Sequence, residues 1–198
     1  MNKYFELLKN NKIWSNSTKI KDKKFFTQSA KQQNPHFLWI GCSDSRVPAN
    51  QICNAKPGTI FVHRNIANII QNKDINCLSV VEYAITHLKI KNVLICGHYE
   101  CGGIVASLQN QSFGRLDTWL ENIKDVYLNN QKELNHIKNL QQKQNRLAEL
   151  NVKQQVINIS QTQSIQNAWK NKQPLSIHGL IYNLSTGLLK DLNCSLHG

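Results

Sequence analysis

Apolar positions along the 198-residue chain fall into short unbroken runs and longer helical stripes. Phe37-Leu-Trp-Ile-Gly41 lies between Pro35 and Gly41-Cys-Ser-Asp, Thr59 to His63 follows Pro57-Gly58, and Lys91 to Gly97 and Ser176 to Tyr182 complete the set. The first three runs are too short for a helix and read as continuous apolar stretches, the pattern of a strand buried on both faces, and Ser176 to Tyr182 predicts a fourth strand. Gly187 to Leu192 predicts an edge strand. From Asp74 the segment DINCLSVVEYAITHL opens on an N-cap residue and continues with helical periodicity. That alternation of strand and helix predicts right-handed crossovers and a parallel sheet. Residues 2 to 14 and 17 to 30 space Tyr4, Leu7, Leu8 and Ile20, Phe25, Phe26 at helical intervals, predicting two helices ahead of the sheet. Gly102 to Trp169 predicts several further helices, with the Asn/Gln-rich stretch 129 to 151 as a solvated face. The expected architecture is α/β: one domain over 1–198, a mainly parallel central sheet flanked by helices, and an N-terminal helical arm over 1–34.

Composition narrows the class. A hydrophobic content of 40% with 18% charged residues supports a packed core rather than disorder. No apolar run approaches the roughly 20 residues of a membrane span, and the opening MNKYFELLKNNKIW is too interrupted for a signal core. The expectation is a soluble, cytoplasmic protein with no membrane partner. The +12 charge comes from 24 Lys and Arg against 12 Asp and Glu. The basic residues are mostly Lys, scattered without a stripe, so the excess reads as compositional drift with at most salt-screened polyanion attraction and no specific nucleic-acid partner. Six cysteines are too sparse for a disulfide scaffold. Cys53, Cys77, Cys96 and Cys194 read as core.

Two segments carry chemistry because each begins where a predicted parallel strand ends: Cys42-Ser-Asp-Ser-Arg46 and His98-Tyr-Glu-Cys-Gly-Gly103. Ligands of open α/β sheets bind at that edge. If the two strands are neighbours, Cys42, Asp44, His98 and Cys101 face one crevice and offer two thiols, a carboxylate and an imidazole, donors that Zn2+ accepts in a tetrahedron. Structural zinc sites more often use Cys-x-x-Cys knuckles, and none is present.

These residues resemble the zinc signature of the β-class carbonic anhydrases. The likeness extends through Phe37 to Val47, Phe61 to Asn68, Asn76 to Ala84, Glu149 to Val152 and Ile177 to Tyr182. The resemblance implies one zinc per chain held by Cys42, His98 and Cys101, with Asp44 as a fourth ligand in a closed, resting state. It implies that Arg46 draws Asp44 off the metal in the open state, making the Asp44/Arg46 dyad catalytic. The reaction implied is reversible hydration of carbon dioxide to bicarbonate and a proton. Gln33, Phe61, Tyr83 and Gly102 would line the substrate pocket, Gln33 coming from a partner subunit of a homodimer that can pair into a tetramer. Glu100, at a position that varies in the family, should point its carboxylate outward. No proton shuttle is assigned, since His63 and His178 lie in predicted strands as structural groups. Two thiolates cancel the charge of the ion, so activity should favour alkaline pH.

Trp39, Arg64 and Tyr182 resemble the noncatalytic bicarbonate site of a bacterial-type subgroup. There the bound anion displaces the residue here at Val47 and, as an allosteric effector, closes Asp44 on the metal. Two other functions stay open on the residues alone. Carbon disulfide or carbonyl sulfide hydrolysis would use the same metal on another linear heteroallene, and a noncatalytic zinc-stabilised binding module would not need Asp44 paired with Arg46.

Overall fold

Asp22 ends the first helix. Its backbone is extended, at φ −144° and ψ 100°, and its carboxylate accepts from the Lys24 amide. Helix α1 therefore runs unbroken over Lys3–Lys21, and a short α2 follows at Phe25–Ser29. The two expected helices were divided too early, because Ser15-Asn16-Ser17 contains neither Gly nor Pro and α1 continues through it. Asn2 caps α1 by accepting from the Tyr4 amide. Trp14 meets Phe26 edge-on at a ring separation of 5.5 Å, holding α2 back against α1. The computed structural model describes residues 2–198 as two units that divide between Asn34 and Pro35, and the helical pair makes up the first.

The second unit is built on a sheet. Strand β1 spans Phe37–Cys42, a four-residue helix α3 Ala49–Ile52, and β2 Ile60–Asn65. After the single turn Ile66–Asn68 comes α4, Ile75–Glu82, capped by Asp74, which accepts from the Asn76 and Cys77 amides. The helix then widens into a π turn over Tyr83–His87 before β3, Asn92–His98. Helices α5 Gly102–Ser107, α6 Leu116–Asn129, α7 Gln131–His136, α8 Leu140–Ser160 and α9 Gln163–Lys170 precede β4, Ser176–Asn183. Two short strands close the chain, the expected edge strand β5 at Leu188–Asp191 and an unexpected β6 at Leu196–His197.

Spatial order is β2-β1-β3-β4-β5, with β6 also pairing on β4. The first four strands are mutually parallel, and β5 and β6 run antiparallel to β4. The chain leaves β1 toward one side to make β2 and returns on the other side to make β3, so the order reverses at the β1/β3 seam. Such a reversal leaves a crevice beyond the C-terminal ends of the strands. Cys42 and His98 stand at those ends.

Side chains alternate between two cores. Leu38, Ile40, Val93, Ile95, Ile177 and Ile181 belong to the main core with residues of the packed helices. Each fully buried side chain of this size contributes on the order of 1.5–3 kcal/mol. On the opposite face Trp39, Cys96 and Tyr182 form a smaller cluster with Val47 and Ala49.

Two expectations change here. The Asn/Gln-rich region is not a purely solvated face: Asn151 and Gln155 are each only 1% exposed, because they bind the backbone of the turn after β2. Cys53 is exposed and Cys194 only half-buried, whereas Cys77 and Cys96 are core as expected. Cys53 caps the four-residue α3, a helix too short to bring it under cover. No helix among the described residues is long and apolar enough to cross a membrane.

Candidate active site

The β1/β3 register sets Gly41 beside Cys96, so the next residues of both strands emerge together. Cys42, His98 and Cys101 converge, their ligand atoms all within 4.8 Å of one another, and all three are buried. The two sulfurs stand 3.9 Å apart. His98 Nδ1 lies 2.8 Å from the Tyr99 carbonyl, an acceptor only, so Nδ1 carries the proton and Nε2 presents a lone pair. Nε2 is buried and has no hydrogen-bond partner among the described residues. A buried lone pair beside two thiols is costly by itself, and the donor set fits a borderline cation such as Zn2+.

The two sulfurs are close enough to share a hydrogen bond. Cys42 is pushed down to about 4, chiefly because Cys101 donates to its sulfur, with His98, the Asp44 backbone and the Ala67 amide adding to the effect against burial. Cys101 is pushed up by the same contact and by its own burial. One thiolate thus forms readily; the second needs a positive charge.

Asp44 sits at the rim. Arg46 donates to both its oxygens, Nε to Oδ1 at 2.9 Å and Nη2 to Oδ2 at 2.7 Å, a two-pronged pairing suited to a planar guanidinium. That contact holds the Asp44 carboxyl well below the usual carboxylate range. Oδ2 lies 3.8 Å from His98 Nε2, so the carboxylate stands next to the ligand set while Arg46 holds it. Arg46 in turn donates to the Glu100 carbonyl at 3.3 Å, and its Nη1 lies 4.0 Å from the Glu100 carboxylate. The Glu100 side chain is exposed, as its expected outward direction requires. Its bracing of Arg46 escapes sequence reasoning, because it depends on Glu100 adopting φ +57°.

A carbonic anhydrase family profile matches residues 37–189. A carbonic anhydrase of Emericella nidulans is 44% identical over 193 residues, covering 98% of this chain and 85% of the relative. The chain belongs to the β-class carbonic anhydrases. A tetrameric β-carbonic anhydrase of Sordaria macrospora superposes with a TM-score of 0.95 at 38% identity, over 99% of this chain and all of that one (100%). The Coccomyxa β-carbonic anhydrase, solved with acetazolamide, gives 0.93 at 39% identity over 98% of this chain and 87% of that one. As a carbonic anhydrase, this enzyme acts on carbon dioxide and bicarbonate.

The remaining sequence-predicted residues of this carbonic anhydrase divide by position. Gly102 is exposed and opens α5 directly after Cys101, and a Cβ there would meet nothing within 4 Å. Phe61 and Tyr83 pack on each other at a ring separation of 5.8 Å. The register sets Phe61 beside Leu38, four residues before Cys42 and thus roughly 13 Å back along the strand. Within one chain they stand apart from the thiol cluster. Gln33 is exposed in the N-terminal unit.

Trp39 and Tyr182 share the smaller core cluster with Val47. Trp39 Nε1 is buried without a partner among the described residues. The indole lies over Gly41, where a Cβ would come within 2.3 Å of Nε1. Arg64 donates through Nε to the Cys42 carbonyl at 2.7 Å and through Nη2 to the Asp44 carbonyl. It therefore braces the Asp44 loop directly, a contact that sequence reasoning missed.

The two strand histidines each meet a neighbouring polar side chain. His63 Nε2 lies 3.3 Å from Asn65 Nδ2, and His178 Nδ1 2.9 Å from the Ser195 hydroxyl. His63, Asp74 and Cys77 also converge within 4.8 Å. Asp74 is engaged in capping α4, and burial pushes the Cys77 thiol up to about 12.

Proposed function

We propose that this carbonic anhydrase is zinc-dependent, with one ion per chain held by Cys42, His98 and Cys101, and that the Asp44/Arg46 dyad gates it. The observation that carries the reading is the buried His98 Nε2, without a partner among the described residues, beside two sulfurs 3.9 Å apart. Zinc at such a site would supply Lewis acidity and lower the pKa of water, by less than at a three-imidazole site because two thiolates offset its charge.

The chain's own residues do the rest. Arg46 keeps Asp44 ionised and turned to the rim, where the carboxylate accepts a hydrogen bond from the attacking water and orients it. The alternative position of Asp44 is close by, since Oδ2 needs little travel from its place 3.8 Å from Nε2. A carboxylate released from Arg46 closes the site; one held by Arg46 leaves it open. The Tyr99 carbonyl fixes the His98 ring by accepting from Nδ1. Gly102, with no side chain at the mouth, leaves its surroundings clear for bicarbonate.

A second copy of the chain completes the pocket. Tyr4, Phe5, Leu7, Leu8, Ile13 and Trp14 leave α1 with exposed apolar surface, and Val62 and Tyr83 are exposed on the second unit. Gln33, Phe61 and Tyr83 then serve substrate binding across a homodimer, which can pair again as in the tetrameric Sordaria relative. Six free cysteines suit a reducing, cytoplasmic compartment.

The same reading extends to regulation and to the bicarbonate-gated subgroup. A bicarbonate ion held by Trp39 Nε1, Arg64 and Tyr182 competes with the Cys42 and Asp44 carbonyls for the Arg64 guanidinium and unseats Val47 from the shared cluster. Asp44 then leaves Arg46. The effector acts only through its higher affinity for the closed state. Metal analysis alongside carbon dioxide hydration by the Asp44→Asn enzyme tests the core of this reading: zinc retained with hydration largely lost supports the gate, and wild-type rates contradict it.

A further inference from the structure

The backbone amide of Ala67 donates to the Cys42 sulfur at 3.4 Å. Ala67 reaches that position only in a left-handed conformation, φ +61° and ψ +27°, and Asn68 follows at φ +50°. Two successive left-handed residues with Cβ atoms are disfavoured, so something outside the turn has to hold them. Helix α8 does so with three polar residues on one face. Asn151 Nδ2 donates to the Ala67 carbonyl at 2.9 Å, and Gln155 Nε2 donates to Asn151 Oδ1 at 2.9 Å. Gln155 Oε1 accepts from the Ile70 amide at 2.8 Å and from Asn158 Nδ2 at 3.0 Å. Asn158 also donates to the Ile70 carbonyl at 3.0 Å.

We infer that the Asn151–Gln155–Asn158 ladder is a positioning device for the Cys42 thiolate, acting through the Ala67 amide that it holds in place. The inference rests on the metal reading above. Its chemistry is distinct from the ligands themselves: the ladder touches no ligand, yet it fixes the direction of a backbone amide that donates to a ligand sulfur. Every link of the ladder is satisfied, so it transmits a defined geometry rather than merely filling space. Gly103 has a matching role, since a Cβ there would press the Ile66 and Ala67 side chains at 2.9 and 3.2 Å. The turn is thus clasped between α5 and α8.

The test uses the zinc-loaded enzyme and its cobalt-substituted form. Asn151→Ala and Gln155→Met are compared with Val156→Ala, a core change on the same helix that lowers stability without touching the ladder. Two quantities are read: the rate at which a colorimetric chelator takes zinc from the folded protein, and the thiolate-to-Co2+ charge-transfer band. Both ladder variants are expected to release zinc about tenfold faster or more, the usual scale for residues behind a metal ligand, and to shift the band. Val156→Ala, compared at equal distance below its melting temperature, is expected to move neither. Should Asn151→Ala fail to fold, Gln155→Met carries the comparison, since it keeps the side-chain length. Unchanged release and band in the ladder variants, or equal acceleration by Val156→Ala, overturns the positioning role while leaving the metal site intact. A wild-type enzyme that binds neither zinc nor cobalt overturns the metal reading, and this inference with it.

Discussion

Glu149→Gln asks how much a buried carboxylate behind the site contributes to the fold. Glu149 is 9% exposed and accepts from Tyr99 Oη at 2.7 Å, Lys190 Nζ at 2.9 Å and Arg146 Nη1 at 2.9 Å. Tyr99 is the residue whose carbonyl orients His98. Burial raises the Glu149 carboxyl, but the hydrogen bonds from Tyr99, Lys190 and Arg146 together outweigh it and hold the group below its ordinary value. A glutamine keeps the shape and one acceptor oxygen while removing the charge. The Tyr99 bond then drops from charge-assisted to neutral, a loss of about 1 kcal/mol. Arg146 retains Glu133, and the Lys190 side chain is 60% exposed, so each adds less than about 1 kcal/mol after solvent screening. The total is about 2 kcal/mol, or a melting temperature lower by about 4–8 °C for a chain of this size. The sign with pH follows from the lowered carboxyl. Its contribution is complete above the unfolded Glu value of about 4.3 and is lost as pH falls through the folded value. Thermal melts of both proteins at pH 7, and in a series down to pH 3, measure this. A shift below about 2 °C at pH 7, or a difference that grows toward acid, refutes the reasoning.

Arg46→Ala should abolish most hydration while keeping zinc, because a freed Asp44 closes on the ligand set; stopped-flow rates near wild type would sink the gate. In Arg64→Ala, bicarbonate inhibition should weaken and the acid limb of the pH–rate profile flatten. The alkaline rate also falls, since two loop carbonyls lose their donor, so the ratio between the two pH limits is the diagnostic; an unchanged limb and inhibition remove the effector site. Light scattering at micromolar concentration should give at least twice the 22.7 kDa chain mass, and a fully active monomer would rule out a shared pocket.

The buried strands were legible because a strand covered on both faces has no polar positions, and Phe37 to Gly41 and Lys91 to Gly97 show none that matter. Their ends then pointed to Cys42 and His98. The Asp44/Arg46 pair was legible too, since two residues of spacing in a loop permit a direct contact. Asn151 and Gln155 were not, because they sit among more than a dozen other amides and only the position of the turn at Ala67 makes them interior. Val152, Val156 and Ile159, all core, carry the stripe that could have marked their side of α8 as buried. The separation of Phe61 from Cys42 was hidden for another reason: the strand register that places Phe61 beside Leu38 is not written in the motif. Glu100 and Arg64 acquired their contacts from backbone geometry and strand register, which no side-chain pattern encodes.

The central claim is a zinc-dependent hydrase whose chemistry sits on Cys42, His98 and Cys101, and stopped-flow hydration of carbon dioxide by wild type and Cys101→Ser, each with its zinc content measured, tests it most directly. The wild type should carry about one zinc per chain and hydrate rapidly, with most of the metal and nearly all activity lost from Cys101→Ser. Full zinc occupancy and undiminished hydration in Cys101→Ser, or a zinc-loaded wild type no faster than buffer, would contradict it.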